Sequence, residues 1–240
     1  MPGLLALIGG GEWTAGCEPI DRAILAAAAA VADSEAPVNE VLVLTTAAAY
    51  HQPHKALAVA RSYFQELGAT VTTTPLLTRT DASNPSVLED LRRARCIYLC
   101  GGSPFHLKSV LQGTPAWTTI VSTWWAGTAL AGSSAGAMVL GDPMVDPRGG
   151  AFTIGLGLIA GFAILPHADT WSPAKVQRTR KMVNAAVTIA EVAERAALVW
   201  QEADGWTAIG AGPGHGVEVR TGAQLAKLAN VPVPAIPLVR

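Results

Sequence analysis

The sequence predicts an α/β protein, a three-layer sandwich in which a mostly parallel sheet is covered by helices on both faces. Three observations carry this. Short apolar runs rich in β-branched residues alternate with stretches of helical pattern through residues 1–140, the chain order that builds parallel sheets. Hydrophobic residues make up 50% of the chain and charged residues only 15%, as expected where strands are buried on both sides. The apolar runs also end in small-residue turns: Gly9-Gly10-Gly11, Gly101-Gly102-Ser103 and Gly132-Ser133-Ser134-Ala135-Gly136. In open α/β sheets, ligands gather at the carboxyl ends of strands.

The elements follow in order. Residues 4–8 read as a strand and 19–32 as a helix with Pro19 near its start, where the missing N–H does no harm. Residues 41–45 form a second strand. Residues 53–67 form a helix stopped by Gly68, suited to a left-handed position past a helix end. Residues 70–75 are a third strand, and 85–94 a short helix with Asn84 able to cap it. Residues 96–99 are a fourth strand, 105–112 and 118–126 are helices, and the second of these starts near Pro115. Residues 129–131 form a short strand that runs into the serine turn, and 137–140 begin another helix. Beyond this the pattern is less regular. Residues 141–161 read as loop with a short hairpin, 163–165 as a strand ending at Pro166-His167, and 174–193 as one helix. Residues 198–200, 207–210 and 216–220 read as short antiparallel strands at the sheet edge, and the Pro-rich tail 231–240 as extended surface chain.

Composition excludes several classes. With 240 residues the chain suits a single domain spanning 1–240. Its 17 basic and 18 acidic residues give a net charge of −1, which offers nothing to nucleic acid or to an acidic membrane surface. The Ala-rich run 23–32 is too short to span a membrane and is flanked by Asp21, Arg22 and Asp33. The N-terminus lacks the basic region of a signal peptide. Three cysteines, Cys17, Cys96 and Cys100, have no metal spacing and fit reduced thiols in the cytoplasm. No cofactor or metal motif is present in the sequence.

The segment Gly132-Ser133-Ser134-Ala135-Gly136 fits G-x-S-x-G between a strand and a helix. This is the context in which a serine on a strained turn is exposed as a nucleophile. A nucleophilic serine needs a base. Of His51, His54, His106, His167 and His215, His167 follows a strand at its carboxyl end. The base needs an orienting carboxylate. Glu202, after the 198–200 strand, and Asp142 and Asp146, after the serine helix, are the candidates, with Asp169 and Asp204 behind them. The backbone N–H of Ala135 is suited to hold an oxyanion, and Gly101-Gly102-Ser103 could supply a second donor. Arg148, Arg178 and Arg180 are suited to clamp a substrate carboxylate. Gly9-Gly10-Gly11 does not continue as a dinucleotide motif and reads as a turn near the site. The tryptophans at 117, 124, 125 and 206 read as core or interface, and the helix carrying Trp124 and Trp125 is compatible with a homodimer.

Taken together, Tyr98-Leu99-Cys100-Gly101-Gly102-Ser103-Pro104-Phe105, the serine motif, Asp142-Pro143-Met144-Val145-Asp146-Pro147, Pro166-His167 and Gln201-Glu202 resemble the S51 serine peptidases, which include dipeptidase E and cyanophycinase. The sequence is similar in particular to members described as type 1 glutamine amidotransferase-like. The resemblance runs from the first strand to Val219. It implies the flavodoxin-like sandwich of class I glutamine amidotransferases, Ser134 as nucleophile and His167 as base. It implies Glu202 as the acid, with Asp142 as the alternative, and Gly102 and Ala135 as oxyanion donors. The Gln177-Arg178 pair resembles an Arg-bearing helix of the family, and Gly101, Ser103 and Arg178 are expected near the substrate. Ser103-Pro104 departs from the Gly-Gly-Gly-Asn of the dipeptidases and the Gly-Gly-Asp-Gln of cyanophycinases.

The expectation is therefore a serine peptidase acting on a short peptide or isopeptide, aspartyl links being the first class to consider. A catalytically silent ligand-binding relative and a glutamine amidotransferase are the alternatives.

Overall fold

Four helices begin with the same signal, a capping side chain followed by proline. The computed structural model, which describes residues 1–31, 36–222 and 224–235, shows why. Asn84 accepts from the Ser86 N–H (3.0 Å), Ser103 from His106 (3.2 Å), Thr114 from Trp117 (3.4 Å) and Ser172 from Lys175 (3.3 Å). Each cap satisfies an N–H that the first helical turn leaves open, and the proline that follows has no N–H to satisfy.

The first part of the chain runs β1 (Leu5–Ile8), α1 (Glu18–Ala29), β2 (Glu40–Leu44), α2 (Pro53–Glu66), β3 (Thr70–Thr72), α3 (Pro85–Arg93), β4 (Cys96–Leu99), α4 (Pro104–Leu111), α5 (Pro115–Trp125), β5 (Ala129–Ser133) and α6 (Ala135–Met138). It matches the expected alternation. The expected end of the first helix at residue 32 lies outside the described residues. After α6 come β6 (Gly141–Asp142), β7 (Met144–Val145), β8 (Phe152–Thr153), β9 (Ile159–Ala160), β10 (Phe162–Leu165), α7 (Pro173–Met182), β11 (Thr188–Val192), β12 (Ala197–Gln201), β13 (Gly205–Ile209), β14 (Val217–Thr221) and β15 (Gln224–Ala226). No described helix is long and apolar enough to cross a membrane.

The main sheet has the order β13-β12-β1-β5-β4-β2-β3. The run from β1 to β3 is parallel, while β12 is antiparallel to β1 and β13 to β12. Residues of β1, β4 and β5 are buried throughout, and alternate side chains point to opposite faces. Ala6, Ile8, Val43 and Tyr98 pack with Ile20, Ile24 and Phe64 of α1 and α2. Leu5, Leu7, Leu44 and Leu99 pack on the other side with Leu91, Ile120 and Trp124 of α3 and α5. The same cluster continues into Phe162, Ile164 and Ile189. Trp117 and Trp124 are turned into this core, with the Trp124 indole N–H donating to Gly3 O at 2.9 Å. Trp125 is 38% exposed.

The second half departs from expectation in one consequential way. Residues 174–193 do not form one helix. The helix α7 stops at Met182, Asn184 Oδ1 accepts from the Ala186 N–H (2.9 Å) in a turn, and the chain re-enters as the strand β11. Asparagine favours such side-chain-closed turns, and Thr188, Ile189 and Val192 favour a strand. Strand β11 lies in a second sheet of order β15-β14-β11-β10-β6-β9, parallel to β10. The expected strand at 216–220 therefore belongs beside β11 as β14, not at the edge of the main sheet. Glu191 of β11, 4% exposed, accepts from Arg180 Nε at 2.6 Å and pairs with Arg220 Nε at 3.2 Å, tying α7 and β14 to this sheet. The hairpin in the 141–161 region is β7–β8. In the tail, Val231 is buried, Pro232 O accepts from the Trp206 indole (3.0 Å) and the Ala235 N–H donates to Leu158 O (3.0 Å). It is thus docked as far as residue 235, and the expectation for 236–240 lies outside the described residues.

Candidate active site

The site is assembled around the carboxyl end of β1. There the chain turns away as Gly9-Gly10-Gly11, and each nearby backbone group is claimed by a different loop. The Ser134 N–H donates to Ile8 O (2.9 Å), the His167 N–H to Gly9 O (2.8 Å) and the Arg195 N–H to Gly10 O (2.8 Å). Three segments from two sheets are thereby held at one point: the turn after β5, the loop after β10 and the loop after β11.

Ser134 has φ 48° and ψ −108°, a conformation that a side chain rarely adopts and that costs on the order of 1–3 kcal/mol. Gly132 and Gly136 permit it. A Cβ at Gly132 would lie 2.5 Å from Gly136 O, and one at Gly136 would lie 2.2 Å from Leu99 O. His167 also has positive φ (52°). Gly10 is what lets its ring approach, because a Cβ there would sit 2.2 Å from His167 Cε1.

Ser134 Oγ and His167 Nε2 are 2.8 Å apart, and His167 Nδ1 is 2.9 Å from Glu194 Oε1. An ionised carboxylate can only accept, so Nδ1 carries the proton and Nε2 is left to accept from the serine hydroxyl. Glu194 is itself held: its N–H donates to Asp169 Oδ1 (2.9 Å), and Thr170 Oγ1 lies 3.4 Å from its Oε1. The His167 and Glu194 side chains are each 26% exposed.

The carboxylate that meets the histidine is thus neither of the expected ones. Glu202 follows β12, which runs antiparallel to β1. Ala197 pairs with Ile8 and Trp200 with Leu5, so the carboxyl end of β12 lies at the end of the strands opposite to Ser134, and Glu202 is exposed. Asp142 Oδ1 accepts from the Gly155 N–H (3.2 Å), and Asp146 pairs with Arg148 at 2.7 Å, which holds its carboxyl below the usual range. Asp204 is exposed in the β12–β13 turn. The sequence hides Glu194 because the helical pattern of 174–193 runs across β11. The β-branched residues Val187, Thr188, Ile189 and Val192 favour a strand there, and in the structure that strand runs parallel to β10, so Glu194 follows it at the same end at which His167 follows β10.

The other expected residues divide. Gly101 and Gly102 lie after β4, next to the serine turn. A Cβ at Gly101 would be 3.6 Å from Ser134 Cβ, and one at Gly102 (φ 137°) would strike Ala47 O at 2.3 Å. Ala135 is buried directly after Ser134. Ser103 is occupied elsewhere: its hydroxyl caps α4 and its N–H donates to Ala47 O (2.8 Å). Arg178 is exposed on α7, its Nη2 3.4 Å from Arg148 O, and nothing brings it to Ser134. Arg180 is taken up by Glu191. His106 Nε2 lies 2.9 Å from Leu77 O, His215 Nδ1 3.1 Å from Gly210 O, and His51 and His54 are exposed. The Cys100 thiol is buried, which pushes its pKa up to about 12. Among the described residues, no group of three or more His, Cys, Asp or Glu side chains could hold a metal ion.

A serine on a strained strand-to-helix turn, hydrogen-bonded to a histidine that is in turn hydrogen-bonded to a carboxylate, on a mostly parallel α/β sheet, is the arrangement of a serine-type peptidase. The model of peptidase family S51 matches residues 5–206, and the chain belongs to that family. It is similar in structure to a peptidase from an acI-B1 Actinobacterium, with TM-score 0.78 and 28% identity over 92% of this chain and 91% of that one. It shares its fold with a putative peptidase E protein from Listeria monocytogenes EGD-e, with TM-score 0.64 and 17% identity over 87% and 98% of the two chains. No curated protein matches the chain.

Proposed function

We propose that the chain hydrolyses a short peptide or isopeptide through a Ser134–His167–Glu194 triad and an acyl-enzyme. The observation that carries this reading is the unbroken hydrogen-bonded path of 2.8 Å and 2.9 Å from Ser134 Oγ to Glu194 Oε1. In the first step Ser134 Oγ attacks the scissile carbonyl while His167 Nε2 takes its proton. Glu194 stabilises the imidazolium that forms and keeps the ring in the required tautomer. The backbone N–H groups of Gly102 and Ala135 receive the charge that develops on the carbonyl oxygen. His167 then passes its proton to the leaving amine, which departs. A water, deprotonated by the same nitrogen, releases the acid and restores the serine.

The aligned donor–acceptor path supports catalysis over a silent binding role. A glutamine amidotransferase reading loses support from Cys100, since a buried thiol with its pKa near 12 supplies almost no thiolate at neutral pH. For the substrate, α- and β-aspartyl dipeptides, other short acidic peptides and cyanophycin form the first panel, followed by mass spectrometry with wild type and Ser134→Ala side by side. The expected result is cleavage by wild type and a loss of 10⁴-fold or more, by order of magnitude, in the variant. Cleavage retained by Ser134→Ala overturns the assignment.

A further inference from the structure

One acidic side chain in the site has no part in the triad. Glu12 follows the glycine turn of β1, and its two carboxylate oxygens have different partners. Oε1 accepts from the Gly101 N–H at 2.8 Å, and Oε2 accepts from the Ser133 hydroxyl at 2.7 Å. Gly101 lies directly before Gly102, and Ser133 directly before the Ser134-Ala135 turn. The carboxylate therefore spans the ends of β4 and β5, the two strands whose loops carry the proposed oxyanion donors. Gly101 leaves room for it: a Cβ at that position would be 2.7 Å from Glu12 Oε1.

We infer that Glu12 is a positioning residue that fixes the separation and orientation of the Gly102 and Ala135 N–H groups. This rests on the reading of Ser134 as nucleophile. The Gly101-Gly102 segment consists of glycines and is the less constrained half of the hole. Holding the Gly101 N–H fixes the peptide plane that enters this turn, while the Ser103 N–H bond to Ala47 O (2.8 Å) fixes its exit, so the Gly102 N–H is held from both sides. The Ser133 anchor refers the same plane to the strand that presents the nucleophile. Hydrogen bonds to a carboxylate are stronger than neutral ones, so one side chain holds both loops. Oxyanion stabilisation depends on donors already in place before charge develops, and a displacement of about 1 Å costs on the order of 100-fold.

The test is the rate at which a fluorophosphonate modifies Ser134, followed by intact-protein mass spectrometry. The step forms the Oγ–P bond, expels fluoride and passes the serine proton to His167. It needs both the nucleophile and the oxyanion donors, and no knowledge of the natural substrate. Glu12→Ala and Glu12→Asp, the latter one methylene too short to span both donors, should each slow labelling by about 100-fold in protein whose circular dichroism at the assay temperature is that of wild type. Glu12→Gln, which can still bridge the two groups, should restore most of the rate. Once a substrate is identified, the loss should fall on kcat with KM little changed. Should Glu12→Ala fail to fold, Ser133→Ala removes one anchor and should slow labelling by roughly 10-fold.

Folded Glu12→Asp or Ser133→Ala protein that labels at the wild-type rate overturns the inference and leaves the serine reading intact. So does Glu12→Gln as slow as Glu12→Ala, which would make charge and not the bridge decisive. Wild type that is not modified at Ser134 overturns the serine reading itself, and this inference with it.

Discussion

Glu194 and Glu202 stand at the two ends of one strand and have opposite situations. Glu194 lies just before β12 and its carboxylate is 2.9 Å from His167 Nδ1. Glu202 lies just after β12, exposed, at the opposite end of the strands. Both are glutamates in loops beside an apolar strand, and nothing in residue type separates them. Strand direction does. The rule that functional groups gather at carboxyl ends holds for the parallel strands β1, β4 and β5, and for β10 and β11 of the second sheet. For β12, which runs the other way, the amino end is the site end.

Neutralising each acid in turn separates the two. Glu194→Gln should lower kcat/KM by about 10³–10⁴-fold, since the amide no longer enforces the imidazole tautomer or stabilises the imidazolium. Glu202→Gln should leave it within about two-fold, as expected for an exposed side chain with no part in the site. Steady-state kinetics of the two variants on one substrate decide the matter, and a reversed order would return the acid to Glu202.

A smaller effect sharpens the point that Glu194 acts only through a well-placed ring. Gly10→Ala puts a methyl where His167 Cε1 is 2.2 Å away. The ring must move off Ser134, and activity should fall about 100-fold in a protein whose circular dichroism is unchanged. Wild-type kinetics in Gly10→Ala would mean that the ring is not held by this approach.

A third acid extends the comparison from position to environment. Asp21 is 1% exposed, and burial pushes its pKa up to about 7 from an ordinary 3.8, with Glu12 and Glu18 adding repulsion. Between those values the folded protein holds a proton that the unfolded chain has released. The stability linked to this group is therefore fully present below about pH 4 and is lost as pH rises through about 7, by on the order of 4 kcal/mol at full extent. Asp21→Asn should flatten that part of a denaturation-versus-pH series, which chemical unfolding at several pH values measures. An unchanged slope would mean that Asp21 is not the group responsible.

The same contrast explains what the sequence revealed. Ser134 and His167 were legible because each follows a short apolar strand of ordinary composition and sits in a recognisable turn, the serine within small residues that only a tight strand-to-helix turn requires. Glu194 was not, because a run of alanines and valines from 183 to 193 satisfies helical and strand patterns equally well, and only the Asn184 turn and the β-branched residues after it separate the two. The second sheet is hidden for the same reason, since its strand β11 continues the helical pattern of α7. Gly10 is legible only as part of a glycine turn near the site, and Glu12 carries no local signal at all. Their importance depends on which loops from distant parts of the chain meet them, His167 in one case and Gly101 and Ser133 in the other. Ser103 shows the reverse: its place in a glycine-rich motif suggested substrate contact, while its hydroxyl serves as the cap of α4.

Whether His167 donates its Nδ1 proton to Glu194 can be tested without any substrate. A proton in an imidazole–carboxylate hydrogen bond gives a low-field proton resonance, and selective ¹⁵N labelling of histidine assigns it to the ring. Wild type and Glu202→Gln should both show that resonance from His167, and Glu194→Gln should lose it. A resonance that survives in Glu194→Gln and vanishes in Glu202→Gln would mean that Glu202, not Glu194, holds the ring.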